Sequence, residues 1–308
     1  MRANMISVAR LLGVALLTTT GAAKAQLPVS SPAAFAMAGN YTAMARGYEA
    51  VVFNPANLAS PGRPFISLGL APFGGTFGLD PVDVTSFYKV RGMVVDSATR
   101  AAWTSLVRSS GRERIRGDLG VTPVALSIGP IGISTGVAVA TNVDMAPDMF
   151  ELAVFGNAGN NGGAAKDLSL LGTEIGASMF STGAVSLALP LPFKIGGGVL
   201  PGEHMSIGIT GKYVMGNAFA LARDMGSTLS FDGGTANLPM IFPDTIAYAE
   251  DSLPNLGTGS GVDVGLNWSF GKWRIGVMAE NVMNSFKWDT TKLAFIPNSG
   301  SIDPSDDN

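Results

Sequence analysis

The sequence predicts an all-β protein, an antiparallel transmembrane β-barrel, on three observations. Late in the chain, large apolar residues alternate at period two with small, polar or charged ones. Val262, Val264, Leu266, Trp268 and Phe270 share one strand face, while Asp263, Gly265, Asn267 and Ser269 share the other. Charge opposite an apolar face fits a sheet with lipid on one side and a polar lumen on the other. The composition agrees, because 14% of residues are charged where soluble domains carry about 25%. With 46% hydrophobic residues the chain is not a disordered one either. Finally, Trp268, Phe270 and Trp273 flank a Gly271-Lys272 turn, where a membrane interface collects aromatic side chains.

The elements follow in order. Residues 1–25 read as an export signal: Arg2 and Arg10 supply a basic start, Leu11 to Leu17 a short apolar core, and Ala23-Lys24-Ala25 a small-residue cleavage pattern. No later stretch is apolar for long enough to predict a membrane-spanning helix. Residues 26–62 then form a short segment ahead of the first strand. Its alanine-rich part, from Met37, predicts a helix that stops at Asn54, because the following Pro55 disfavours the α region there. The barrel region, 63–308, opens with a strand at Phe65–Leu70.

A helical insertion is expected over about 80–118. Val94, Ala98, Ala101 and Ala102 recur at helical spacing and Gly111 closes the helix. The basic run Arg108, Arg112, Arg114 and Arg116 reads either as a solvated loop or as a contact for lipopolysaccharide phosphates or an acidic ligand. From residue 121 alternation resumes. Val124, Leu126 and Ile128 face one way, Gly129-Pro130 turns, and Ile131, Ile133, Val137 and Val139 continue. An Asn/Gly loop at Asn157–Gly163 precedes Val185, Leu187 and Leu189, after which Pro190 and Pro192 interrupt. Met205, Ile207, Ile209, Tyr213 and Met215 fall on one face of the next strand, opposite Ser206, Gly208, Thr210 and Lys212. After the Gly271-Lys272 turn, Trp273, Ile275, Val277 and Ala279 oppose Arg274, Gly276 and Glu280. Lys212, Asp263, Asn267, Arg274 and Glu280 are therefore the expected lumen-facing residues; the charged ones either line a pore or pair inside it.

No catalytic constellation emerges. His204, the one histidine, sits beside Glu203 and reads as an exposed residue, with no Gly-x-Ser-x-Gly elbow near any serine. Carboxylates are dispersed; Asp303 and Asp306-Asp307 read as a solvated end and not a metal site. Ile195–Gly198 and Gly257–Gly261 read as turns, since they lack the lysine and the strand-turn-helix context of phosphate-binding loops. The chain has no cysteine, which removes disulfides and thiolate chemistry, and its net charge of −3 argues against nucleic acid. No cofactor is expected, and the reading is of a protein that is not an enzyme.

Ala38-Gly39, Tyr41 and the corner Asn54-Pro55-Ala56, set between an export signal and a first strand, resemble the opening of the long-chain fatty acid transporter family of outer-membrane barrels. The related shuttle barrels of type IX secretion share that opening. Some uncharacterised exported families carry a strand similar to Lys212-Tyr213-Val214-Met215-Gly216. The resemblance implies that residues 26–62 are an N-terminal hatch segment, a small hatch inside a barrel, with Asn54-Pro55-Ala56 leading from plug to wall. It implies a bacterial outer-membrane location, outer-membrane lipid and the barrel-assembly machinery as partners, and a hydrophobic small-molecule ligand. Barrels of this kind end on a strand with a terminal aromatic, whereas this sequence ends Asp303-Pro-Ser-Asp-Asp-Asn308. At roughly 20 residues per strand and turn, about ten strands fit, fewer than the family's barrels hold. The expectation is a C-terminally incomplete fragment. Two functions stay open: a transporter or channel for hydrophobic small molecules, and a non-transporting scaffold or secretion-system partner. A soluble exported β-protein is a third, weaker reading.

Overall fold

The structure, a computed structural model, describes residues 31–37, 39–156, 166–230, 233–244 and 254–302. The export signal at 1–25, the start of the hatch segment, the Asn157–Gly163 loop and the end Asp303–Asn308 lie outside the described residues. The helices are α1 (Pro32–Ala36), α2 (Ala50–Phe53), α3 (Val84–Lys89), α4 (Ser97–Ser110) and α5 (Pro147–Phe155). The strands through the first hairpins are β1 (Ile66–Leu70), β2 (Phe73–Asp80), β3 (Glu113–Val121), β4 (Val124–Ile128), β5 (Ile131–Met145), β6 (Leu168–Ser169) and β7 (Glu174–Leu191). Then come β8 (His204–Arg223), β9 (Thr228–Ser230), β10 (Gly233–Asn237), β11 (Met240–Pro243), β12 (Gly257–Phe270), β13 (Trp273–Asn284), β14 (Lys287–Trp288), β15 (Leu293–Ile296) and β16 (Ser299–Ile302).

Antiparallel sheet dominates. β1 and β2 are one long strand bent at Ala71-Pro72, opposite a matching bend at Thr122-Pro123 between β3 and β4. Proline cannot donate to a ladder, so two prolines at one level break both strands there. The bend keeps its remaining donors satisfied, since Ala71 N–H donates to the Pro123 carbonyl and Thr122 N–H to that of Pro72. Counting these as two strands, the wall is a meander of seven: β1–β2, β3–β4, β5, β7, β8, β12 and β13, each antiparallel to the next. Because seven is odd, the first and last run in the same direction. Among the described residues their outer edges have no partner, so the sheet is open and not a closed barrel. The strands are longer than expected, up to 20 residues in β8, and helices and a small sheet take the connections. That is why fewer long strands appear than the spacing estimate allowed.

One end of the meander carries short connections. Gly129-Pro130 and Gly271-Lys272 turn tightly there, with Gly129 and Gly271 at φ 55 and 52, the left-handed region glycine enters without strain. The other end carries the long loops. The helical insertion is narrower than 80–118: α3 and α4 hold it, while Glu113–Val121 is strand β3. Arg114, Arg116 and Asp118 disguised that strand by their charge. Of the basic run, Arg112 and Arg116 pair with Asp144, Arg114 with Asp80, and Arg108 with Asp148 and Glu151. Asp96 caps α4 by accepting from Thr99 N–H, and Gly111 closes it at φ 81, as the spacing predicts. Val82, Trp103, Val107 and Phe150 form the core beneath these helices. β6, β9, β10 and β16 make a separate four-stranded sheet beside the wall. No helix among the described residues is long and apolar enough to cross a membrane.

The two faces of the wall are the reverse of a soluble sheet. Ile66, Leu68, Ile133, Val185, Leu187, Ile207, Ile209 and Tyr213 are exposed. Ser127, Ser134, Ser186, Ser206, Thr210, Lys212, Asp263 and Asn267 are buried. Met205 departs from its row and is buried.

Candidate functional site

Against the buried polar face lies the N-terminal segment expected to be a hatch, hereafter the hatch. The single helix expected from Met37 shrinks to a short 3-10 turn, Gly47–Glu49, and α2, with α1 lying ahead of it, because Gly39 and Gly47 sit at φ 82 and 59, which a continuous right-handed helix cannot pass through. The end at Asn54 is as the Pro55 argument predicts. Asn54 is extended (φ −172, ψ 104), and Pro55 opens a second 3-10 turn, Pro55–Ala59.

Asn54 is fully buried and divides its amide between two tasks. Its Oδ1 accepts from Ala56 N–H at 3.1 Å, capping the turn, and its Nδ2 donates to the Leu266 carbonyl of β12 at 3.1 Å. Ser206 Oγ of β8 donates to the Ala56 carbonyl at 2.8 Å. Asn267 Nδ2 donates to Asn57 Oδ1 at 2.8 Å, and Asn57 Nδ2 to the Thr42 carbonyl at 2.9 Å. The Asn54-Pro55-Ala56 corner is thus pinned to two adjacent wall strands, to β12 by the Asn54 amide and to β8 by the Ser206 hydroxyl, groups that would be costly to bury unpaired. The wall is hollowed to receive it. Gly208 and Gly265 are register partners. A Cβ on Gly208 would run into the Pro55–Ala56 backbone, and one on Gly265 into the Asn54 side chain. Gly276 likewise meets the Ala43 backbone, and Gly132 the side chains of Val51 and Leu58. Ala50, Val51, Leu58 and Ala59 pack on Ala184 and Ala188 of β7.

Within the hatch, Tyr41 Oη donates to Glu49 Oε2 at 2.7 Å and Ser31 Oγ to Glu49 Oε1 at 2.6 Å. Burial, then this bond to a carboxylate, pushes the Tyr41 phenol up to about 12. Tyr48, against Gly69, is also raised, by burial first and Glu49 second. The neutral phenol is the form the folded hatch prefers. Its contribution is therefore complete below pH 10, the ordinary phenol value, and is lost as pH climbs from there through about 12. Limited proteolysis of residues 31–60 is expected to accelerate over that interval, and Tyr41→Phe to flatten the response.

Further from the short-turn end, Lys212 Nζ and Asp263 Oδ1 meet at 2.6 Å with side chains 2% and 1% exposed. Asp263 Oδ1 also accepts from Asn281 N–H at 2.8 Å. Asn281, at φ 54, belongs to a bulge where Ala279–Met283 of β13 faces Val264–Val262 of β12. Glu280 lies in that bulge and is exposed, while Arg274 is half-buried. Of the five residues expected to face a lumen, then, Lys212 and Asp263 pair, Asn267 holds the hatch, and Arg274 and Glu280 stand apart. His204, expected exposed, is half-buried.

The alternation did not reveal the next feature. Phe180, Phe219, Phe286 and Trp288 form an aromatic cluster toward the long-loop end, with ring centroids 4.9 to 5.4 Å apart. Gly216, Gly257 and Gly259 leave space for it: a Cβ on Gly216 would strike the Trp288 ring, and one on Gly259 the Phe286 backbone. Gly257–Gly261, expected as a turn, is the start of β12 for this reason. Separately, against the four-stranded sheet, a pocket of about 300 Å³ with a mostly apolar surface is lined by Met149, Leu170, Ile175, Leu229, Ala236 and Leu238, together with Thr173, Asp224, Ser227, Thr228 and Thr235. That size and lining suit a small apolar ligand. Among the described residues no cluster of three metal-ligating side chains occurs. No family model, curated protein or solved structure matches this chain.

Proposed function

We propose that the chain forms wall and plug of a bacterial outer-membrane β-barrel that admits hydrophobic small molecules. The observation that carries this reading is the inversion of the wall: bulky aliphatic side chains on the exposed face, serine, threonine, asparagine and an ion pair on the covered one. In water such a face would be an association hazard, whereas lipid solvates it. Each long strand also exceeds the 9–11 residues or so that a tilted strand needs to cross a bilayer. The pocket at the long-loop end offers a place of matching chemistry for such a ligand. The processed protein is expected in outer-membrane fractions, resistant to carbonate; recovery in the soluble periplasm would sink the proposal.

The scaffold reading has one observation in its favour, the density of hydrogen bonds fastening the hatch. Gly208→Val separates the two. A side chain there must displace the Pro55–Ala56 backbone, at about 1–3 kcal/mol for overpacking, and loosen the plug. A transporter is expected to show more frequent conductance steps in planar bilayers with that substitution. A scaffold would conduct no more than the parent while residues 31–60 become protease-sensitive.

A further inference from the structure

We propose that the short-turn end of the wall is a rim that binds anionic phospholipid headgroups. The inference rests on the membrane reading above but concerns a surface that reading does not use. Three separate places at this end set a cation beside bulky apolar side chains turned outward. Arg63 precedes Phe65, 71% exposed, at the entry to β1. Lys194 lies between Phe193 and Ile195, 56% and 55% exposed, in the β7–β8 connection. Lys272 lies in the β12–β13 turn before Trp273, 69% exposed.

The cations are uncompensated. Among the described residues none of Arg63, Lys194 and Lys272 has a carboxylate within ion-pair distance, whereas Arg108, Arg112, Arg114, Arg116 and Arg223 of the long-loop end are tied to Asp80, Asp144, Asp148, Glu151 and Glu174. The nearby acid, Glu203, is buried and already engaged, its Oε1 accepting from Gly196 N–H at 2.9 Å and Trp268 Nε1–H at 3.0 Å. Aromatic and aliphatic groups at the acyl boundary, with cations just outside them, are the arrangement that anionic headgroups attract. Spacing along three connections favours a layer of headgroups over one small anion, which would need the cations to converge.

The test uses the unmodified protein in vesicles of phosphatidylcholine mixed with phosphatidylglycerol, with brominated chains on one lipid or the other to quench tryptophan at the rim. Brominated phosphatidylglycerol is expected to quench more than its share of the bilayer, and high salt to abolish the excess. Lys194→Gln and Lys272→Gln are each expected to lower the apparent preference roughly five-fold, and Trp273→Phe to remove most of the quenchable signal. Quenching in proportion to lipid composition, in protein shown to be inserted by heat-modifiable mobility, would overturn the rim and leave the membrane reading standing. Protein that enters neither kind of vesicle would overturn both, and an acidic protein partner would then be the surface's better match.

Discussion

Asp263→Ala is expected to destabilise the protein by about 3–5 kcal/mol, the cost of leaving a buried charge without its partner. Lys212 is the charge left behind: its side chain is 2% exposed and, among the described residues, its ion pair is with Asp263 alone. The loss has a second part, since Asp263 Oδ1 also accepts from Asn281 N–H and so holds the β13 bulge. The two parts separate in a double variant. Asp263→Asn with Lys212→Met keeps an acceptor for Asn281 and removes both charges; it is expected within about 1 kcal/mol of the parent, because buried ion pairs often add little over well-packed neutral groups. Urea unfolding of the folded protein, followed by tryptophan fluorescence, measures all three. Equal losses in the single and double variants would show that packing, and not charge compensation, holds this part of the wall.

Ile209→Arg should behave in opposite ways according to the solvent outside the wall. Ile209 is 49% exposed, between Leu187 and Val264 on neighbouring strands. In water an exposed substitution of this kind stays within about 0.5 kcal/mol of the parent. Near the middle of a bilayer an outward arginine costs about 2–4 kcal/mol. Equilibrium unfolding from lipid vesicles distinguishes the two, and a neutral result there would remove the main support for a membrane-facing wall.

Much of the wall was legible because alternation survives wherever large and small residues trade places. The β12–β13 hairpin, with its Gly271-Lys272 turn, follows from that pattern and from turn chemistry. The end of α2 at Asn54 and the cap of α4 at Gly111 follow from proline and glycine alone. Alternation failed where both faces are small or both are charged. Gly257–Gly261 has no large residue to mark a face, since its glycines make way for Phe286 and Trp288. In β3, charges on successive turns of the pleat hid a strand whose arginines find acids on β2 and β5. The candidate site was legible only in outline. The Asn54-Pro55-Ala56 corner stands out in the sequence, but its seat on Gly208 and Gly265 joins positions far apart along the chain, which local patterns do not connect.

The odd number of wall strands restricts how this sheet can be completed. A second copy standing the same way up would meet the first through seams in which β13 runs parallel to the neighbour's β1–β2, the less stable pairing per residue. Antiparallel seams between two copies are available only when one is inverted, which would place one hatch at each mouth and send long loops to both sides of a membrane. A ring that is antiparallel throughout, with every short turn at one mouth, takes an odd complement of strands that is not a copy of this wall. Parity therefore makes both seams of a simple upright dimer parallel, before any side chain at the seam is considered.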